Sequence, residues 1–374
     1  MDSSLRREAE SLDPLFDWPI LFNQLDMNVI VWNYRGALKP NFQRHVRELV
    51  RTHNPTILVV METWVGGGRA KEIIDCLPFD GAILAETIGY AGVVWLLWNS
   101  DRVKVEQLAS IIQEIHAKVK VLPSNLSWIL SAVYASPRIV ERQVLWENLT
   151  KVAKLHSKPW IIAGNFNEPL AEVDKFGGRL VSINKSLLFK DFLDKSNMVD
   201  LGFSGLRYTW TNRREISSLI QERIDRFFMN SSWCLLYPDA KVLHLTRCHS
   251  NHCPVLLETN PSRQLHVKRP FKFQSIWLSD PSFPNVVKQA WQQPRKLLEA
   301  IEVFSRRASL WNKNHFGNIF QKKKRVLARL DGVQRALAIQ PSASLVVLEN
   351  QLMKELDVVL EQERDLWALK SRIN

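Results

Sequence analysis

The sequence predicts an α/β fold, a two-layered sheet core with helices outside it, followed by a helical extension at the C-terminal end. Three observations carry this. Apolar runs of strand length alternate with segments whose apolar residues recur at helical spacing. Polar residues recur where those strands begin or end. After Pro261 the composition shifts, first to a basic and aromatic stretch and then to charged helix. At 374 residues the chain has room for one large domain with an appendage, or for two domains.

Residues 1–26 read as a polar arm without a strong period. Asn28 to Trp32 is the first expected strand, ending in Asn33-Tyr34-Arg35-Gly36. Phe42, Val46, Leu49 and Val50 give a helical stripe over Asn41 to Arg51, which Pro55 stops. Thr56 to Met61 is a buried strand ending in Glu62-Thr63-Trp64. Gly66-Gly67-Gly68 reads as a flexible turn, since the Lys-Ser/Thr of a phosphate loop is missing. Further strands are expected at Gly92 to Trp98 and Trp128 to Tyr134, then an amphipathic helix over Ile139 to Leu155. Pro159-Trp160 leads into Ile161-Ile162-Ala163, an apolar run that Gly164 is expected to break. A short helix over Ser186 to Leu193, a strand at Ile224 to Phe228 and a segment from Leu243 to Leu257 complete the core. In the tail, Gln340-Pro341 separates two helical stretches, which reads as an antiparallel hairpin.

The formal net charge of +12 favours a polyanionic partner, nucleic acid, over an anionic membrane surface, because no long basic amphipathic helix dominates. Four cysteines in a chain of this length make no disulfide framework. Leu15 to Met27 is interrupted by Asp17, Pro19 and Asp26, so no signal peptide is expected, and the longest apolar run is too short for a bilayer. The expectation is a nuclear or cytoplasmic protein that is neither secreted nor membrane-bound.

Chemistry concentrates around Gly164-Asn165-Phe166-Asn167-Glu168-Pro169. Two amides one residue apart leave the same face of an extended backbone, at the carboxyl end of a buried strand. An Asx-rich turn capping the next segment is the plainer reading. Asn33, Glu62, Tyr134, Asp225 and His252 likewise lie at strand ends, and each alone reads as a cap or a satisfied polar residue.

Together, the segments VWNYRG, METW, VYASP, AGNFNEP, YTWTN, RIDRFF and SNHCPV resemble the ordered motifs of the exonuclease–endonuclease–phosphatase superfamily. The resemblance implies the DNase I-like, four-layered α/β sandwich over residues 27–261. WNYRG, VYASP, NFNE with a following Gly-Gly, YTWTN and RIDRFF are similar to the endonuclease domain of plant non-LTR (LINE-type) retrotransposons. RPFKFQSIW, LWNKNHFGNIF and LWALKSRIN resemble the connector that precedes the polymerase there, so 262–374 is expected to be a basic connector and helical hairpin without the reverse transcriptase.

The resemblance also assigns roles. Glu62 would hold Mg²⁺ with help from Asn33, hard oxygen donors suiting that ion. Tyr134 and Asn167 would contact the scissile phosphate, with Thr209 and Arg35 on the substrate side. Asp225 would orient His252 toward a phosphate oxygen. Duplex DNA, held electrostatically, is the implied partner. The chain departs from the superfamily at two positions: Gly-Asp-Phe-Asn is here Gly164-Asn165-Phe166-Asn167, and Ser-Asp-His is Ser250-Asn251-His252. An amide cannot accept the proton of an attacking water, and losing a general base costs about 10²–10⁴-fold. Weakened Mg²⁺ binding and impaired catalysis are therefore expected. The alternatives are a non-catalytic nucleic-acid-binding remnant and a small-molecule phosphatase of the same superfamily.

Cys248, His249, His252 and Cys253 also suggest zinc, but no second Cys/His cluster completes four ligands. Lys322-Lys323-Lys324-Arg325 reads as a nuclear address, a phosphate contact or a solvated helix face.

Overall fold

The structure is a computed structural model that describes residues 27–85, 94–122, 124–261, 273, 277–278, 280–292, 296–315 and 317–371. The arm expected at 1–26, the first residues of the strand expected from Gly92, and the start of the connector at 262–272 lie outside the described residues. The first half comprises β1 (Asn28–Asn33), α1 (Phe42–His53), β2 (Ile57–Met61), α2 (Gly67–Ile74), β3 (Gly81–Leu84), β4 (Val94–Trp98), β5 (Val103–Ile111), β6 (Glu114–Val121) and β7 (Ser127–Tyr134). There follow α3 (Ile139–Leu155), β8 (Trp160–Asn165), β9 (Lys175–Phe176), α4 (Ile183–Lys195), β10 (Met198–Asp200), β11 (Ser204–Gly205) and β12 (Trp210–Thr211). Then come β13 (Gln221–Glu222), β14 (Asp225–Asn230), α5 (Ser231–Leu236), β15 (Lys241–His244) and β16 (Val255–Glu258).

Two large sheets form the core, in the orders β11-β15-β16-β1-β2-β4-β3 and β10-β14-β8-β7-β6-β5. Most neighbours are antiparallel, with parallel exceptions such as β1 beside β2 and β7 beside β8. Period-2 geometry explains the layering, because alternate side chains leave a strand on opposite faces. In β1, Val29 and Val31 join Ala117, Leu130, Ile161 and Phe227 in the core shared by both sheets. Their neighbours Ile30 and Trp32 point outward and pack with Phe42, Val46 and Leu49 of α1 and with Ile73 of α2. The second sheet repeats the arrangement: Ile162 and Phe228 face Trp146 of α3 and Phe189 of α4. Helices, sheet, sheet, helices make the four layers.

Three local expectations are corrected. Gly164 does not break its strand, which continues to Asn165. The residue is glycine because φ is +152° and an added Cβ would sit 1.8 Å from the Val133 carbonyl oxygen of the neighbouring strand. Gly67-Gly68 is not a free turn but opens α2. The hairpin of β5 and β6 had no counterpart in the sequence reading, because β5 is an edge strand whose exposed positions carry Lys104, Glu106 and Gln107, leaving no apolar run to detect.

A second compact unit comprises Arg213–Leu219, Thr246–Cys248 and Gln264–Asn374. It contains α6 (Phe283–Ala290), α7 (Leu297–His315), α8 (Gly317–Ile339) and α9 (Ala343–Ser371). Val326, Leu330 and Leu337 of α8 pack with Leu352, Leu356 and Leu360 of α9. Lys323 pairs with Glu363 (2.7 Å), and Gln334 donates to Glu349 (2.9 Å), so the two helices run antiparallel. Lys323 is therefore buried in an ion pair, and the Lys322–Arg325 run is not a uniformly solvated face.

Candidate active site

The strand-end residues meet on one edge of the sandwich. β1 and β2 are parallel neighbours and finish together, which brings Asn33 beside Glu62, and Asn33 Nδ2 donates to Glu62 Oε1 (2.7 Å). Arg35 Nε donates to the other carboxylate oxygen (3.1 Å). β7 and β8 are also parallel and pair Tyr134 with Asn165, while β14 runs antiparallel to β8 and sets Asp225 opposite Asn165. His252, in the loop before β16, places Nδ1 2.9 Å from Asp225 Oδ2 and 3.4 Å from Asn165 Nδ2.

Further bonds close these two groups into one circuit. Ser250 Oγ donates to the Asn33 carbonyl oxygen (2.8 Å) and accepts from the His252 backbone N–H (3.2 Å). Burial, then the Glu62 carboxylate beside it, push the Tyr134 phenol well above its ordinary pKa, so the hydroxyl stays a proton donor. Asn167 Nδ2 donates to the Ala135 carbonyl oxygen (2.7 Å), and the Asn167 side chain also hydrogen-bonds the Tyr134 hydroxyl, which in turn bonds Glu62. With its amide oxygen turned toward the donors, Asn251 accepts from Arg35 Nη1 (2.9 Å) and Trp210 Nε1 (2.8 Å).

The two amides that depart from the motifs stand in surroundings that favour carboxylates. At Asn165, Oδ1 accepts from the Asn167 backbone N–H (2.8 Å), so the Asx turn of the plainer reading is present as well. Asn167 has φ +48°, so the backbone between the two amides is not extended as expected. Nδ2 of Asn165 faces a ring nitrogen already engaged with Asp225, where an oxygen would accept and an amide N–H does not. At Asn251, two donors converge and one of them is cationic.

One substrate-side assignment needs correction. Thr209 is fully buried; its hydroxyl accepts from the backbone N–H groups of Ile224 and Asp225 (3.0 Å each) and thereby fixes the start of β14. Arg35 is committed to Glu62 and Asn251, though its side chain keeps about 40% exposure. The cysteines do not gather around His252: Cys253 belongs to the inter-sheet core, and burial pushes the Cys248 thiol up to about 12.

Sequence reasoning missed the buried ion network behind Asp225. Arg226 pairs with Asp174 (2.6 Å) and Asp200 (2.7 Å), and Arg223 pairs with Asp200 (2.8 Å). Burial alone would raise the Asp200 carboxyl, but the two guanidinium groups outweigh it and hold the pKa below the usual range. The doubled arginine of RIDR was the available signal. Arg142 and Glu168 form a second buried pair that anchors α3 to the segment after β8.

The oxygen donors fit a hard divalent cation in kind. Asn33 Oδ1 is buried, lacks a hydrogen-bond partner and adjoins the Glu62 carboxylate, so a cation would satisfy it. The set is thin, since among the described residues no three His, Cys, Asp or Glu side chains gather as ligands.

Comparison with known proteins bears on the family and the fold. Residues 25–280 match the endonuclease/exonuclease/phosphatase family. No curated protein matches the chain. Among solved structures, an AP endonuclease of Leishmania major is 16% identical with a TM-score of 0.52, covering 62% of this chain and 87% of that one. The endonuclease domain of TRAS1, a telomere-specific non-LTR retrotransposon, is 14% identical with a TM-score of 0.49, covering 64% and 100%. A 3'-5' exonuclease from Neisseria meningitidis is 18% identical with a TM-score of 0.46, covering 63% and 100%. At these identities the likeness concerns the fold.

Proposed function

Because the chain belongs to the endonuclease/exonuclease/phosphatase family, we propose that it is a retrotransposon-derived, DNA-directed endonuclease domain of the plant LINE type with an impaired active site. The observation that carries this reading is the joined circuit of Asn33, Glu62, Asn165, Asp225 and His252 with amides at both departing positions.

In this reading Glu62 and Asn33 would hold Mg²⁺, which would supply Lewis acidity toward a phosphate oxygen. Asp225 occupies Nδ1 of His252, which leaves Nε2 as the ring nitrogen to face a phosphate oxygen. The Tyr134 hydroxyl and the Asn167 amide, bonded to each other and, through the hydroxyl, to Glu62, would turn to donate to a bound phosphate. Asn165 stands where a water would be activated, yet its amide cannot take the proton. Arg35 lies against Glu62 and lowers the negative charge there, which weakens cation binding. Binding survives better than catalysis, because cationic contacts to phosphates need no general base.

Fluorescence anisotropy with a labelled DNA duplex tests the partner. Affinity is expected to fall steeply as salt rises, with little dependence on sequence. Absence of binding at low salt removes DNA as the partner.

A further inference from the structure

Beside Glu62 stands an aromatic residue that no step above uses. Trp64 is 39% exposed. A lone exposed aromatic needs no explanation, but this one is held in a costly conformation. Among the described residues, eight other than glycine have positive φ. Four are asparagines, which tolerate it: Asn54, Asn125, Asn167 and Asn197. Of the remaining four, Arg35, Glu62 and Trp64 (φ +61°, +49° and +56°) lie in the two adjoining loops after β1 and β2. For a bulky residue such a φ is an outlier, and outliers of this kind cluster where a site over-determines the backbone.

The surroundings fix the indole. The two loops are laced by backbone bonds, with the Tyr34, Gly36 and Ala37 N–H groups donating to the carbonyls of Met61 (3.2 Å), Glu62 (2.7 Å) and Thr63 (2.8 Å). Val65 is anchored in the outer core. The ring lies against Gly36, whose φ is +104° and where an added Cβ would come within 3.1 Å of Trp64 Cε3. Ring atoms Cε3 and Cζ3 of the indole therefore rest on a residue that must be glycine, and the side chain remains part-exposed. Two cationic side chains stand alongside: Lys39, whose Cε is 3.6 Å from the point a Gly36 Cβ would occupy, and the half-exposed Arg35. A part-exposed indole beside cationic side chains and two residues from the candidate cation ligand suits a nucleobase attached to a phosphate.

We propose that Trp64 is a stacking platform for an unpaired base next to the phosphate held at Glu62, so that the chain prefers nucleic acid with an unpaired nucleotide over continuous duplex. The base must be unpaired because in a duplex both its faces are already stacked. This rests on the nucleic-acid reading above and names its substrate class.

The test uses the full chain at low salt with Ca²⁺ as the divalent ion, with a labelled duplex and the same duplex carrying a short thymine bulge. Wild type is expected to bind the bulge about 5- to 150-fold more tightly, the range that base–aromatic stacking supplies. Trp64→Ala is expected to lower bulge affinity to the duplex value, whereas Trp64→Phe keeps most of the preference. Wild type offers an independent readout: 2-aminopurine placed in the bulge loses fluorescence when it stacks on the indole. Equal affinity for the two probes, a preference that Trp64→Ala leaves intact, or unquenched 2-aminopurine in the bound complex overturns the proposal. Duplex binding with any of these results leaves the nucleic-acid reading standing, whereas no binding to either probe removes both.

Discussion

Restoring an aspartate at residue 165 is the sharpest perturbation of this site. Asn165 is fully buried at the end of β8. In Asn165→Asp, one carboxylate oxygen keeps the Asn167 backbone N–H (2.8 Å) and the other replaces Nδ2 at 3.4 Å from His252 Nδ1. Burying a carboxylate costs several kcal/mol unless it is paired, and here the imidazole pairs it, shared with Asp225 at 2.9 Å. The fold is therefore expected to tolerate the change. For activity, a recovered general base contributes about 10²–10⁴-fold, or ~3–5 kcal/mol of barrier. Asn251→Asp adds charge beside Arg35 without touching the water, so about tenfold or less is expected from it, in line with the ~1 kcal/mol that half-exposed pairs supply. Supercoiled plasmid nicking with Mg²⁺ reads this directly, comparing wild type, both single variants and the double variant. The gains need not add, since both groups serve one transition state. Wild-type nicking as fast as the double variant, abolished by Glu62→Ala, would refute the impaired-site reasoning.

Three further outcomes follow from the same geometry. Gly164→Ala forces a Cβ to within 1.8 Å of a backbone oxygen, so a loss of about 3 kcal/mol or more is expected in urea unfolding; a change under half that size would mean β7 and β8 part more easily than their pairing suggests. Arg226→Ala leaves buried Asp174 short of its main partner and takes one of two guanidinium partners from half-buried Asp200, costing about 3 kcal/mol and lowering any revertant activity through Asp225; a stability loss without an activity loss would separate the network from the site. Burial holds His45 at about 2 and His244 at about 4, so both are neutral when folded. The unfolded chain protonates them below about 6.5, so their contribution is complete above that pH and is lost on acidification, each by up to ~1.4 kcal/mol per pH unit until its folded pKa is reached. Melting temperature should fall between about pH 6.5 and 5, and less so in His45→Gln; an unchanged midpoint over that window would contradict neutral burial.

The fold was legible where burial is two-sided. β1, β2, β7 and β8 are buried on both faces, so each reads as a continuous apolar run. It was illegible where structure depends on partners. β5 is exposed along most of its length and is held by pairing with β6. The short strands β9, β12 and β13 have no apolar signature, being two residues each and defined by one another. Gly164 was misread because its reason lies in another strand's carbonyl, which no local pattern reports.

The site divides along the same line. Residues at strand ends could be nominated from sequence, because a buried strand delivers its terminal side chain to a predictable edge. What each does once delivered is decided by long-range neighbours. Thr209 looks like a substrate contact in YTWTN, yet its hydroxyl is spent on the backbone of residues 224 and 225. Arg35 looks free in WNYRG, yet it lies between Glu62 and Asn251. Asn165 and Asn251 are the informative case. Sequence registers each only as the loss of a charge, whereas the structure shows an imidazole nitrogen facing one and two converging donors facing the other. An environment with room for an acceptor at both positions means the backbone and its donors are compatible with a carboxylate at each. Two substitutions of nearly equal volume therefore separate this chain from a fully acidic site, and an aspartate at 165 would have to share the His252 imidazole with the charge of Asp225.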